Sequence, residues 1–372
     1  MNILIFANYG SVYKGNFIQS VQTLEKQLIN EGNVIHWMFP KKAKNSSWLK
    51  TMTSQGAKLE IIDLEYILQT AKKIRRYLKE NKIDLVHIHF IDLKIMLIFR
   101  LALMGLSGIT YRIHLHNHYP NDTGVKKKLR KWAEKDCVFL CCSHSVAQDL
   151  IKRGYASNRV ITVENCIDFS RLDLVQQDAY CEKVFANKQW KLMMFGFDYE
   201  RKGVDLALKA VDAINQEGIH QIRLYISLSS NRDIVENKIK EMFNGCIPTW
   251  VTLLEPRNDI ATYYDKVDAF LSASREEGFC YALIEAAYRK VQLIASWIPA
   301  QNDLLIPECF WFESGNADDL KKKIEMCIEN PKEEQLLEKQ KREVVQYYNL
   351  TEWANKVMMC YNDPEEIGGG VL

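Results

Sequence analysis

The sequence predicts two doubly wound α/β domains of Rossmann type, facing each other across a cleft. Short apolar runs alternate with amphipathic stretches along most of the chain, which is the mark of buried parallel strands and their covering helices. This alternation runs twice, broken once by a polar, irregular stretch rich in Asp and Gln. At 372 residues the chain is also too long for one ordinary core. The expected boundaries are a first domain over 1–170, a linker over 171–188 and a second domain over 189–345. A C-terminal helix over 346–363 should cross back to the first domain, and 364–372 should be a flexible tail.

In order, Ile3 to Phe6 is an apolar strand, followed by a polar turn from Asn8 to Gly15. An amphipathic helix runs from about Asn16 to Asn30, and Gly32 ends it. Ile83 to Phe90, Ile109 to Leu115 and Val138 to Cys142 read as buried strands; Ser143 then caps a helix to about Lys152, and Gly154 stops it. Val160 to Val163 is a short strand. The second series has strands at Leu192 to Phe195, Ile222 to Leu228, Val251 to Leu254, Ala269 to Ser272 and Val291 to Ala295, with helices at Val204 to Gln216 and Tyr281 to Tyr288. In such sheets ligands are expected at the carboxyl ends of the strands.

Bulk properties exclude several classes. Hydrophobic residues make up 47% and charged residues 26%, an ordinary globular balance. A net charge of +2 argues against a general nucleic-acid binder. Ten cysteines occur without a C-x-x-C pair, so they read as reduced thiols in a cytoplasmic protein. The start, MNILIFANYG, has neither the basic region nor the apolar length of a signal peptide. The longest apolar run, Ile95 to Leu106, is broken by Arg100 and too short to span a bilayer.

The most specific segment is Ser274 to Ala286, SREEGFCYALIEA, in which seven residues separate Glu277 from Glu285. Gly278 reads as the start of a helix whose first N–H groups can receive phosphate oxygens. If the segment is mostly helical, the carboxylates stand roughly 12 Å apart along the axis, at about 1.5 Å per residue. Carboxylates accept hydrogen bonds from sugar and ribose hydroxyls. Alone, such a pair is more simply a solvated helix face. Here, however, the segment resembles the E-x7-E signature of glycosyltransferase family 4 and its retaining GT-B relatives. FGFDYERKGVDL at Phe195 to Leu206 is similar to the Lys-Gly segment that opens that family's second domain. Ser143 to Asp168, ending in Asn165, Cys166, Ile167 and Asp168, is similar to its N-G-[VI]-D stretch, and Ile83 to His89 with Ile113 to Asn117 to its histidine-bearing strands.

The resemblance implies a GT-B enzyme that moves a sugar from a nucleotide-diphosphate donor to a hydroxyl acceptor, with retention and with no bound metal or other cofactor. It places Lys202 beside the diphosphate, next to Arg201, and Glu277 on the donor sugar. It puts Glu285 on the ribose, and offers phosphates the backbone N–H groups of Gly278, Phe279 and Cys280. It sets Gly15 and Asn16 in a loop facing donor and acceptor, and His116 near the reacting sugar. Departures are plain: Phe197 stands where relatives often carry arginine, Cys280 and Cys166 where glycine is frequent, and Lys290, Val291 and Gln292 replace a G-x-P. They motivate a rival, a catalytically silent GT-B protein that binds a nucleotide sugar or a partner. Look-alikes commonly serve bacterial capsule, exopolysaccharide or lipopolysaccharide assembly.

Two features lie outside the motif. Five of eight histidines fall between His87 and His118, namely His87, His89, His114, His116 and His118. On strands, alternate residues share a face, so a metal-dependent hydrolase is a remote alternative. No H-E-x-x-H or matching acidic spacing accompanies them. The stretches 72–82 and 126–135 are basic with interleaved Tyr77, Trp132 and leucines. The plain reading is a solvated helix face. The sharper one is peripheral docking on the anionic inner face of the cell membrane, where a lipid-linked rather than a free saccharide acceptor would be met.

Overall fold

The computed structural model describes residues 1–11, 14–53, 56–175, 179–257 and 259–362. The expected tail 364–372 and the centre of the expected linker, 176–178, lie outside the described residues. The chain divides into two compact units. One is Met1–Cys166 together with the segment from Leu350 onward, and the other is Ile167–Asn349.

The first unit runs β1 (Asn2–Ala7), α1 (Gly15–Asn30), β2 (Val34–Pro40), β3 (Lys58–Ile62), α2 (Ile67–Glu80), β4 (Leu85–His89), α3 (Leu93–Leu103), β5 (Thr110–Leu115), α4 (Gly124–Ala133), β6 (Val138–Cys141), α5 (His144–Lys152) and β7 (Val160–Thr162). Its seven strands are all parallel in the order β3-β2-β1-β4-β5-β6-β7. Strands covered on both faces read as unbroken apolar runs, and β1 from Ile3 to Ala7 is wholly buried. The Ser143 hydroxyl accepts from the Val146 N–H at 3.2 Å and so caps α5. The last helix, Leu350–Asn362, belongs to this unit. Its Trp353, Val357 and Tyr361 recur at helical spacing and enter the core with Ile3, Ile5 and Leu24. Burying each of these large side chains contributes about 1.5–3 kcal/mol.

The second unit runs α6 (Ala179–Val184), β8 (Trp190–Phe195), α7 (Val204–Glu217), β9 (Ile222–Ser227), α8 (Arg232–Met242), β10 (Val251–Leu254), α9 (Ala261–Tyr264), β11 (Ala269–Ser272), α10 (Tyr281–Tyr288), β12 (Gln292–Trp297), α11 (Pro299–Asn302), β13 (Cys309–Glu313), α12 (Ala317–Glu329) and α13 (Glu334–Tyr347). The six parallel strands are ordered β10-β9-β8-β11-β12-β13. In each sheet the direction of strand addition reverses once, between β1 and β4 and between β8 and β11. Those are the switch points at which such sheets open a crevice for ligands.

The described part of 171–188 is packed rather than a free linker. Leu172, Cys181 and Phe185 are buried, and the Phe185 ring stacks on Tyr225 at 4.4 Å. Three spaced apolar anchors suffice to dock a stretch that is polar by composition. Among the described residues, no helix is long and apolar enough to cross a membrane. The ten cysteines are free thiols, all buried except Cys246.

Candidate active site

The loops that follow β8 and β11 meet at the second unit's switch point. Gly203, at φ +65°, caps α7, and a Cβ there would lie 2.1 Å from the Ala273 carbonyl oxygen. Only glycine allows the two main chains this approach. The Arg275 N–H donates to the Arg201 carbonyl at 2.8 Å, and the Arg275 guanidinium grips the Asp205 carboxylate with both nitrogens, at 2.8 and 2.7 Å. The loops are thus tied by backbone and by a bidentate ion pair.

On this frame Lys202, Arg201 and Glu277 converge. The Lys202 ammonium is paired with Glu277 Oε1, and Arg201 Nη1 lies 3.2 Å from Glu277 Oε2. The Ser274 hydroxyl donates to Glu277 Oε1 at 2.7 Å. Glu277 is 8% exposed, Lys202 13% and Arg201 34%. Arg201 also holds Asp198 at 3.0 Å. Phe197, at the position where relatives often carry arginine, lies beneath both cations, with Lys202 Nζ 5.1 Å and Arg201 Cζ 5.5 Å from its ring centroid. The Arg201 guanidinium thus packs against the ring that stands at 197. Behind the loop, the Ser296 hydroxyl donates to the Ser274 carbonyl at 2.5 Å, and Gln301 links Ser296 to Ser272.

One expectation is corrected here. The helix begins at Tyr281, so Gly278, Phe279 and Cys280 belong to the loop before it, with Cys280 at the cap. Glu277 stands on a loop and Glu285 on α10, and the axial spacing of a continuous helix does not apply. Gly278 and Phe279 interrupt the pattern because the loop must turn from the end of β11 to bring Glu277 against Lys202. Glu285 has other partners and is buried, at 6% exposure. Arg171 pairs with its Oε1, and the Tyr264 hydroxyl donates to Oε2 at 3.3 Å. Neither Arg171 nor Tyr264 carries a local sequence signal.

Gly15, Asn16 and His116 belong to the first unit. Gly15 opens α1 at φ +57°, a left-handed conformation that glycine adopts freely. Asn16 follows it, its carbonyl accepting from the Ser20 hydroxyl at 2.7 Å. His116 lies just beyond β5 with its ring stacked on Phe90 at 4.2 Å, and its Nε2 is 3.0 Å from His89 Nδ1. Four of the clustered histidines share one sheet face: His87 and His89 on β4, His114 and His116 on and just after β5. Burial holds His87 and His116 down at about 3 and pushes His89 and His114 well below the usual imidazole range, so all four are neutral at pH 7. His118 is apart, with Nε2 3.1 Å from the Ser145 hydroxyl and Nδ1 3.6 Å from Asp149. The metal-capable cluster among the described residues, His87, His89 and His114, contains no carboxylate to act as a hydrolase base.

Comparison with known proteins bears on the family and the fold. The model of "Glycosyl transferases group 1" matches residues 177–344, and that of "Glycosyltransferase Family 4" matches 60–171. No curated protein sequence matches the chain. A glycosyltransferase from Rickettsia africae superposes with a TM-score of 0.79 at 18% identity, covering 98% of both chains. Anabaena Alr3699/HepE, solved with UDP, gives 0.75 at 16% identity over 97% of this chain and all (100%) of that one. A sucrose-phosphate synthase from Thermosynechococcus elongatus gives 0.73 at 15% identity over 97% of this chain and 98% of that one. The fold is GT-B, and the chain belongs to the group 1 glycosyl transferases of glycosyltransferase family 4.

Proposed function

We propose that this chain transfers a sugar from a nucleoside diphosphate donor to a hydroxyl acceptor, with retention of configuration, in the assembly of a bacterial surface polysaccharide. The observation that carries the reading is the convergence of Lys202 and Arg201 on Glu277 at the switch point of the second sheet. Fixed cations there stabilise charge that grows on a departing diphosphate. The bond from the sugar's anomeric carbon to the phosphate oxygen breaks, and the diphosphate keeps the electron pair. The acceptor oxygen then bonds to the same face of the sugar, and its proton passes to a phosphate oxygen. Glu277 holds the donor sugar's hydroxyls, and the N–H groups of Gly278, Phe279 and Cys280 serve the phosphates.

Glu285 receives the ribose hydroxyls. Its carboxylate, which already accepts from Arg171 and Tyr264, is of the kind that accepts such hydroxyls. Within the first unit, Gly15 and Asn16 are assigned to the substrates, and the neutral His116 ring to an acceptor hydroxyl. The chemistry needs no metal, because side-chain cations carry the charge. The UDP and UDP-glucose complexes of Anabaena Alr3699/HepE support testing a uridine donor first. On α4, exposed Val125, Leu129 and Trp132 lie among Lys126, Lys127, Lys128 and Lys131, which supports docking on anionic headgroups from the cytoplasmic side.

A thermal-shift screen against UDP, GDP, ADP, dTDP and CMP, with and without EDTA, tests the reading. One diphosphate at 100 times its Kd should stabilise by about 2.7 kcal/mol. The nucleotide-induced shift should survive EDTA and weaken in Lys202→Ala, and Glu277→Ala should abolish sugar transfer. No shift with any nucleotide, or wild-type turnover in both variants, overturns it. Binding without donor turnover would instead favour the silent GT-B protein that Phe197 motivates.

A further inference from the structure

The stacked histidines of the first unit have ring nitrogens that the protein leaves unsatisfied. His87 Nε2, His89 Nε2 and both ring nitrogens of His114 are buried without a hydrogen-bond partner. Buried polar atoms are nearly always satisfied, and a group of four orphans calls for an occupant. One ring nitrogen from each of His87, His89 and His114 can be chosen so that the three lie within 4.8 Å of one another. We propose that His87, His89 and His114 bind a first-row transition-metal ion of the class that prefers imidazole, with zinc as its representative.

The surrounding hydrogen bonds prepare the rings for this. His87 Nδ1 lies 2.6 Å from the Tyr361 hydroxyl, and His89 Nδ1 lies 3.0 Å from His116 Nε2. With the proton on Nδ1 in both, each ring keeps its Nε2 lone pair for an ion. Orientation of a ligating imidazole through its other nitrogen is the usual support of a metal site. A tetrahedral ion with Zn–N bonds of 2.0–2.1 Å sets its ligands about 3.4 Å apart. Nitrogens at the widest spacing, 4.8 Å, must therefore close by about 1.4 Å. Three protein ligands leave the fourth position to solvent. Arg112 lies beside His87 in the strand register, its Nε donating to the Cys360 carbonyl at 3.1 Å. Hydroxide at the fourth position would reduce the charge facing that guanidinium. A cavity of about 80 Å³ lined by Phe90, His114 and His116 adjoins one of the three rings. The ion would brace β4, β5 and the C-terminal helix, separately from the transfer chemistry.

The test uses the full chain without an affinity tag, stripped with a chelator and then titrated with Zn²⁺ or Co²⁺. One tightly held equivalent of Zn²⁺, a higher melting temperature and the visible bands of tetrahedral Co²⁺ are expected. His114→Gln and His89→Gln should lose the equivalent, and Tyr361→Phe should weaken binding about tenfold or more. His36→Gln, altered at a buried histidine elsewhere, should keep it. A folded wild-type chain with no stoichiometric metal and no tetrahedral Co²⁺ spectrum overturns the proposal, which would leave water as the occupant. Undiminished binding in both the His89 and His114 variants also overturns it.

Discussion

Removing the Lys202 ammonium would leave the Glu277 carboxylate with Arg201 and Ser274 as its partners among the described residues. Breaking a buried pair from one side costs about 3–5 kcal/mol when nothing else neutralises the survivor. Here the Arg201 guanidinium stays at 3.2 Å but is 34% exposed, so its help is partly screened. We therefore expect Lys202→Met to destabilise the second unit by about 2 kcal/mol. Glu277→Gln should cost less, about 1 kcal/mol, because freed cations can turn toward water. The double variant should fall short of the sum by about 1 kcal/mol, the coupling of groups in direct contact. A chain of two units need not unfold in one step, so a global melt would blur the effect. Hydrogen–deuterium exchange of peptides from β8 and β11 isolates it, since these strands end at the paired loops. A loss of about 2 kcal/mol would appear there as roughly 30-fold faster exchange. Unchanged exchange in Lys202→Met, or strictly additive effects, would refute the reasoning.

Two further outcomes follow from single positions. Gly203→Ala sets a Cβ 2.1 Å from the Ala273 oxygen at φ +65°. It should cost about 3 kcal/mol or more and erase the nucleotide-induced shift, and a variant with wild-type melting would disprove the close approach. Glu25 is 2% exposed, with the Trp37 indole donating to it at 2.5 Å, and burial pushes its carboxyl from 4.5 up to about 7. The folded protein thus holds a proton that the unfolded chain releases. Its contribution is complete below about pH 4.5 and is lost as pH rises through 7, by at most about 3 kcal/mol. Glu25→Gln should keep that stability at pH 8, and parallel pH profiles for the two proteins would contradict it.

The elements most legible in the sequence are those whose patterns end abruptly. Val251–Leu254, Ala269–Ser272 and Tyr281–Tyr288 have the bounds expected, because polar or glycine-containing stretches flank short apolar runs. β3 carries little signal: five residues at a sheet edge, half exposed, alternate too briefly to separate from a loop. The loop character of Glu277 was hidden because an eight-residue separation fits a helix or a loop followed by one. Arg171 and Glu285 are 114 residues apart, and no local period can announce such a pair. The histidines were visible as a cluster, but their orphaned nitrogens appear only once β4 and β5 are aligned.

The geometry also bears on how a donor would be recognised. Both cations of the site already have carboxylate partners, Lys202 in Glu277 and Arg201 in Asp198 as well as Glu277. The Arg201–Asp198 pair is partly exposed, at 34% and 46%, and exchanges more cheaply for a phosphate. The Lys202–Glu277 pair is buried, and a diphosphate that draws Lys202 away leaves the Glu277 carboxylate under-neutralised. On the proposed reading, the hydroxyls of the donor sugar are what repair this, by donating to Glu277 as the ammonium turns. Phosphate binding and sugar recognition are then coupled through one carboxylate, so the complete nucleotide sugar gains an interaction that the bare diphosphate must forgo. Phe197 suits this exchange better than an arginine would. Its ring offers both cations a neutral resting face while they change partners, whereas a third guanidinium would compete for Glu277.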